Sequence, residues 1–435
     1  MELYGTSRIL ENGELAIGEI PVSKLAKTYG TPLYVYDELF IREQMRAYQR
    51  PFQHAHLPYR IAYACKAFCT IGICQIAKSE GMWLDVVSEG ELYTALQAGF
   101  NPNHICMNGN NKSERELRYA VHAGVGLIIV DNFYEIELLA AILREQRRSL
   151  DILLRVAPGV EAHTHEFIST GQQDSKFGFD LKSGQIEMAV RRVKEHEELH
   201  LVGLHSHIGS QIFDVEGFRL AAHRLAEQYA FLTSNYQLEL SVLNLGGGLG
   251  VRYTEEDTPT PIERLTAELI HVTQDAFSSF GIPFPLLMLE PGRSIVAQAG
   301  TTLYEVGSRK EIPSVRTYVA VDGGMTDNPR LALYGAKYEA AIATRMHEKP
   351  TEKVSIAGKC CESGDMLVWD AQLPEAKAGD LLAISCTGAY NYSMASNYNR
   401  IPRPAAVLVK EGFARLLVAR ESVEDMCRLD CILDE

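Results

Sequence analysis

The sequence predicts an α/β barrel of the (β/α)8 TIM type followed by an all-β domain, and three observations predict it. Short apolar runs of β type recur eight times between residues 59 and 290, separated by helix-compatible stretches. That count over roughly 250 residues is the signature of a closed barrel. No G-x-G-x-x-G follows the first run, so an open dinucleotide-binding sheet lacks its usual mark. From about residue 295 the rhythm changes to β-type runs parted by Gly, Pro and Asp turns, which reads as an antiparallel barrel or sandwich-like domain.

In chain order, Leu33–Tyr36 follows Gly30-Thr-Pro32 and reads as a strand that joins the C-terminal sheet. The barrel strands are expected at Tyr59–Ala64, Trp83–Val87, Ile105–Asn108, Gly126–Asp131, Ile152–Val156, Leu201–Ile208, Val242–Leu245 and Leu286–Glu290. Helices are expected at Glu91–Ala98, Glu114–Ala123, Glu135–Arg147, Gln185–His196, Phe218–Ser234 and Ile262–Phe280. Ser88-Glu-Gly-Glu91 and Ser113-Glu-Arg-Glu116 both read as capping boxes. The C-terminal strands are expected at Thr301–Val306, Thr317–Val321, Lys353–Ile356, Leu381–Ser385, Ala405–Val409 and Phe413–Val418. The expected domains are therefore 1–36, a β segment packing with the C-terminal domain, 37–294, the barrel, and 295–435, the β-domain.

With 435 residues the chain is long enough for two domains. A net charge of −14 argues against nucleic acid or an anionic membrane as partner, because a phosphate-binding surface needs clustered Lys and Arg. Nine cysteines without a C-x-x-C pair suggest reduced thiols and a cytoplasmic location. Residues 1–20 carry too many charges for a signal peptide, and no apolar run reaches spanning length.

Chemistry-bearing residues fall at the ends of the expected barrel strands, the rim where such folds keep their active sites. Lys66 follows strand 1, Asp85 and Ser88 close strand 2, Asn108 follows strand 3, and Asp131 ends strand 4. Arg155 ends strand 5, His205 and His207 lie on strand 6, and Gly246–Gly248 and Glu290-Pro-Gly-Arg293 follow strands 7 and 8. A lone strand-end lysine is usually a surface residue, but a buried one loses its proton readily and can form a Schiff base with an aldehyde cofactor. Consecutive glycines let backbone N–H groups approach a phosphate, and Arg293 adds a cation. Lysine and phosphate cradle together suggest pyridoxal phosphate. Glu290 would keep its ring nitrogen protonated.

Tyr63-Ala-Cys-Lys-Ala67, Asp85-Val-Val-Ser-Glu-Gly-Glu-Leu92, His205-Ser-His-Ile-Gly-Ser-Gln211, Gly246–Gly248 and Glu290-Pro-Gly-Arg293 resemble the barrel-type pyridoxal phosphate decarboxylases. Ala162-His-Thr-His165, Thr170-Gly171, Ser175-Lys-Phe-Gly178, Asp327-Asn328, Arg330, Ala332-Leu-Tyr334, Cys361-Glu-Ser363 and Gly388-Ala-Tyr390 are similar to the diaminopimelate-specific members. The resemblance covers nearly the whole chain. It implies that Lys66 carries the cofactor, that His207 stacks on its ring and that Glu290 pairs with the pyridinium. Asp85, Ser210, Gly247, Gly248, Pro291, Gly292, Arg293 and Tyr390 would complete the cofactor site. Arg293, Arg330, Tyr334, Glu362 and Tyr390 would bind substrate, and Cys361 would reprotonate the carbanion. Cys361 and Glu362 would enter from the second subunit of a homodimer with shared sites. No metal is implied.

The activity implied is decarboxylation of meso-2,6-diaminopimelate to L-lysine, the last step of lysine biosynthesis. The alternative is the same reaction on ornithine, lysine or arginine. An arginine beside an acid complements the far end of diaminopimelate, which carries both a carboxylate and an ammonium. Two positions depart from the family pattern: Phe68 stands where asparagine is common, and Pro329 precedes Arg330 instead of following it. His163-Thr-His165 and His205-Ser-His207 also resemble metal-ligand pairs, but a metal-dependent hydrolase would want such a pair on strand 1, where Lys66 stands. A non-catalytic homologue would have lost Lys66, Glu290 or Cys361, and all three are present.

Overall fold

A computed structural model describes residues 1–160 and 175–433. Eight parallel strands close on themselves: β1 (Tyr59–Ala64), β2 (Trp83–Val86), β3 (Ile105–Met107), β4 (Leu127–Val130), β5 (Leu150–Ala157), β6 (Leu199–His205), β7 (Val242–Asn244) and β8 (Leu286–Leu289). Each pairs with the next, and β8 pairs with β1, Leu289 opposite Ile61. The strands are short and apolar because a closed barrel buries both faces. Ala62, Cys106, Leu127, Ile129, Leu153, Val242 and Met288 pack together as one buried cluster inside it.

The helices follow the expected rhythm, and their starts show how local chemistry sets them. Ser113 accepts from the N–H of Glu116, whose carboxylate returns to the Ser113 N–H, a full capping box. The box expected at Ser88 is only half formed. Ser88 accepts from the Glu91 N–H, but the Glu91 carboxylate reaches one residue further, to the Val87 N–H at 2.8 Å. A helix not among those read from the sequence, Ile71–Ser79, is capped by the Thr70 hydroxyl.

The chain divides into two compact units, Gln44–Gly250 with Pro259–Ser294, and Met1–Glu43 with Val251–Thr258 and Ile295–Glu435. In the second unit the long strand Gly300–Ile312 pairs antiparallel with Leu33–Asp37, Arg316–Val321 and Leu381–Ile384. Strands at Ala340–Ile342 and Met366–Leu373 add to those expected. The sheet is not purely antiparallel: Ala405–Lys410 runs parallel to Leu33–Asp37, and Arg316–Val321 parallel to Glu352–Ala357. Parallel neighbours need long crossovers, which local turn signals do not report. Leu15, Ile17, Leu25, Val35, Leu303 and Val407 belong to the core of this unit.

Candidate active site

β1 runs directly into a 3-10 turn, Cys65–Ala67. A turn of three residues gives each a different face. Cys65 and Ala67 are buried, and Lys66 is exposed. The turn itself is held firmly. The Tyr63 hydroxyl donates to the Phe68 carbonyl at 2.7 Å, and the Ala64 N–H donates to the Pro291 carbonyl at 2.9 Å. Gly292 lies against the same turn, so a Cβ there would stand 3.0 Å from those of both Ala64 and Ala67. Phe68 is fully buried.

Glu290, just past β8, is the best-held carboxylate on the rim. Its Oε1 accepts from Asn244 Nδ2 at 2.7 Å and Asn108 Nδ2 at 3.0 Å, and its Oε2 lies 3.0 Å from His205 Nε2. Burial alone would raise its pKa, but the His205 charge and these hydrogen bonds outweigh it and hold the carboxyl at about 2. Asp85 shares the Asn108 amide at 2.7 Å and is pushed well above the ordinary carboxyl range, by burial first and then by Glu290. Burial likewise lowers the pKa of His205 and, further, of His207, where the Lys66 and Arg155 charges add to it.

The glycines after β7 have a packing reason. A Cβ on Gly246, at φ +68°, would meet the Ser206 carbonyl at 2.7 Å, and one on Gly247 the Glu290 carbonyl at 2.1 Å. The Gly247 N–H donates to His207 Nδ1 at 3.3 Å. Arg293 donates to Ser210 Oγ from Nε at 3.1 Å and Nη2 at 2.9 Å. Arg155 and Asp131 approach to 3.9 Å at the ends of β5 and β4. His163, His165, Thr170 and Gly171 lie outside the described residues.

In the second unit, Arg330 opens the short helix Arg330–Tyr334, with Pro329 in the capping position before it. Proline suits a helix start, and Arg330 still reaches the Tyr338 hydroxyl at 2.7 Å and the ring face of Tyr253 at 4.7 Å. It is 6% exposed, and among the described residues no carboxylate forms an ion pair with it. Tyr334 is half-buried. Cys361 and Glu362 are exposed on a loop that Asp365 organises from beneath. Its carboxylate accepts from the N–H groups of Met325 at 2.6 Å and Cys360 at 2.7 Å. The Cys361 N–H donates to Asn399 Oδ1 at 2.7 Å. Tyr390 has φ +64°, a conformation uncommon for a non-glycine residue.

Residues 40–297 match the family model described as the pyridoxal binding domain of pyridoxal-dependent decarboxylases. The chain is 55% identical to diaminopimelate decarboxylase of Bacillus subtilis over 99% of its own length and 98% of that protein. It is 53% identical to the enzyme of Halalkalibacterium halodurans, with the same coverage. Among solved structures, the diaminopimelate decarboxylase of M. jannaschii in complex with L-lysine superposes with a TM-score of 0.92, at 34% identity and 98% coverage of both chains. The chain belongs to the diaminopimelate decarboxylase family.

Pyridoxal phosphate is the cofactor of this family, and the rim suits it. An ionised Glu290 could face a protonated ring nitrogen, and the Ser210 hydroxyl, Arg293 and the Gly247–Gly248 backbone form a donor set suited to a phosphate. For a diaminopimelate decarboxylase the sequence reading missed Asn244 and Asp365 altogether, and it gave Asn108 a place on the rim but no task. The one signal for Asn244 is its position two residues before Gly246, whose N–H it accepts at 2.8 Å.

Proposed function

We propose that this protein decarboxylates meso-2,6-diaminopimelate to L-lysine and carbon dioxide. The observation that carries the substrate choice is Arg330, a buried guanidinium with no acidic partner among the described residues. A buried cation is stabilised by an anionic ligand. Ornithine and lysine have no distal carboxylate to offer, whereas diaminopimelate does.

Pyridoxal phosphate, when bound, supplies the electron sink for the charge left as the α-carboxylate departs. The protein's own residues divide the remaining work. Lys66 provides the amine that holds the cofactor aldehyde. Glu290, held at about 2, would keep a proton on the ring nitrogen, beside an Asp85 carboxyl pushed well above its ordinary range. Ser210, Gly247, Gly248 and Arg293 would hold the phosphate, Pro291 and Gly292 seat that segment against the lysine turn, and His207 would stack on the cofactor ring. Tyr390 is assigned to the cofactor and substrate, and Arg293, Arg330 and Tyr334 to substrate carboxylates. The Cys361 thiol delivers the proton that replaces the departing carboxylate at the α-carbon, and Glu362 takes the distal ammonium.

We assign Cys361 and Glu362 to the site of a second subunit. An exposed pair on a loop braced by hydrogen bonds to the Asp365 carboxylate is built to be presented outward. The nine free thiols fit a reducing cytoplasm. No helix among the described residues is long and apolar enough to cross a membrane.

Carbon dioxide release from meso-diaminopimelate, ornithine, lysine and arginine tests the substrate. Faster release from any of the other three overturns the reading. Mixing Lys66→Ala with Cys361→Ala, each inactive alone, should restore up to about a quarter of the activity through hybrid dimers. No recovery would show that the sites are not shared.

A further inference from the structure

The sequence places Cys65, Cys69 and Cys74 on three different local structures. Cys65 belongs to the 3-10 turn, Cys69 follows the buried Phe68, and Cys74 lies in the first turn of helix Ile71–Ser79. The fold nevertheless brings their three sulfurs within 4.8 Å of one another. Cys65 and Cys74 are buried and Cys69 is partly exposed, so the group has one face toward solvent. Single buried cysteines are ordinary small apolar residues. Three converging sulfurs form a donor set.

We propose that Cys65, Cys69 and Cys74 form a three-thiolate site for a soft d10 cation of the Zn2+, Cu+ and Cd2+ kind. A metal–sulfur bond of about 2.3 Å places three trigonal sulfurs about 4 Å apart, so closing the triad takes less than about 1 Å of movement. Thiolate donors without oxygen ligands select soft cations over Mg2+ or Ca2+. Each ligating thiol releases its proton to water as the metal–sulfur bond forms. Thr70 accepts from the Ile73 N–H at 3.2 Å and from the Cys74 N–H through its carbonyl at 3.1 Å, which fixes the helix start that carries Cys74. Cys65 directly precedes Lys66 in the same turn, so an occupied triad ties the lysine turn to helix Ile71–Ser79. The triad shares no residue with the buried Asp85, Cys106 and Glu290 group, which belongs to the rim already described.

The test uses the holoenzyme in a Cys427→Ser, Cys431→Ser background, which removes two exposed thiols. Cadmium chloride is added with excess reduced glutathione, and unbound metal is removed by gel filtration. One cadmium per chain should be retained, with thiolate-to-cadmium charge-transfer absorbance. Cys69→Ser should lose both signals and Cys360→Ser should keep them. Cys69 is only partly buried, and a thermal melt of the variant confirms its fold. Bound cadmium should also slow carbon dioxide release in the parent and not in Cys69→Ser. No retained cadmium, equal retention in Cys69→Ser, or a disulfide within the triad in the reduced protein would overturn the proposal.

Discussion

Asp85 and Glu290 accept from one and the same amide, Asn108 Nδ2, at 2.7 and 3.0 Å. Two buried carboxyl groups sharing a donor are driven to different protonation states. Their other partners decide which ionises. Glu290 also has His205 and Asn244, whereas Asp85 is dominated by burial and by the charge of Glu290 itself. On the rim the Asp85 carboxyl is thus pushed up and the Glu290 carboxyl held down, side by side.

Glu290→Gln keeps the volume and removes the charge. It should lower kcat by about 10² or more, the scale of losing a placed electrostatic group, with a change in the absorbance of bound cofactor. The variant should fold, because the glutamine carbonyl can still accept from Asn108 and Asn244. Wild-type kcat with an unchanged spectrum would refute the role of the charge.

Glu91 gives a pH signature. Burial is the main cause of its rise to about 7, against about 4.3 in an unfolded chain. The unfolded state therefore loses this proton first, and stability falls as pH rises from about 4.3 through 7. Urea melts at pH 5 and 7.5 should show wild type losing about 1–3 kcal/mol more than Glu91→Gln over that interval. Parallel pH dependence in the two proteins would exclude Glu91 as the source.

Gly292→Ala inserts a methyl between the Ala64 and Ala67 side chains, each 3.0 Å from the new atom. The turn carrying Lys66 must give by a few tenths of an ångström. Thermal unfolding should report a loss of about 1–3 kcal/mol, and cofactor affinity, followed by absorbance on dilution, should fall with it.

Asp365→Ala leaves the N–H groups of Met325 and Cys360 without their acceptor, at a cost of about 1–3 kcal/mol. The loop carrying Cys361 and Glu362 should loosen. Alkylation of Cys361 by iodoacetamide should quicken, and kcat should fall more than KM rises. An unchanged alkylation rate would show that the loop is braced elsewhere.

The barrel was legible because its strands are local events: an apolar run bounded by Ser, Asp and Gly signals says strand and stop without help from distant residues. Lys66, Glu290 and Arg293 were legible for the same reason, as polar residues at strand ends. The exposure of Lys66 between two buried neighbours was not. It depends on how a 3-10 turn distributes three residues between core and solvent.

The sequence by itself determined the alternation of strands and helices, the cap at Ser113 and the chemical types gathered on the rim. Tertiary structure decided which groups share partners. It set Leu33–Asp37 between residues 300–303 and 405–409, strands from opposite ends of the chain. It turned Asn108 and Asn244 into the donors that hold Glu290 ionised, and it turned the sulfurs of Cys65, Cys69 and Cys74 toward one another. Short-range patterns fix backbone conformation because their interactions lie within a few residues. The proton affinity of Glu290 belongs to contacts with residues 46 and 182 positions away, and only the folded chain makes those contacts.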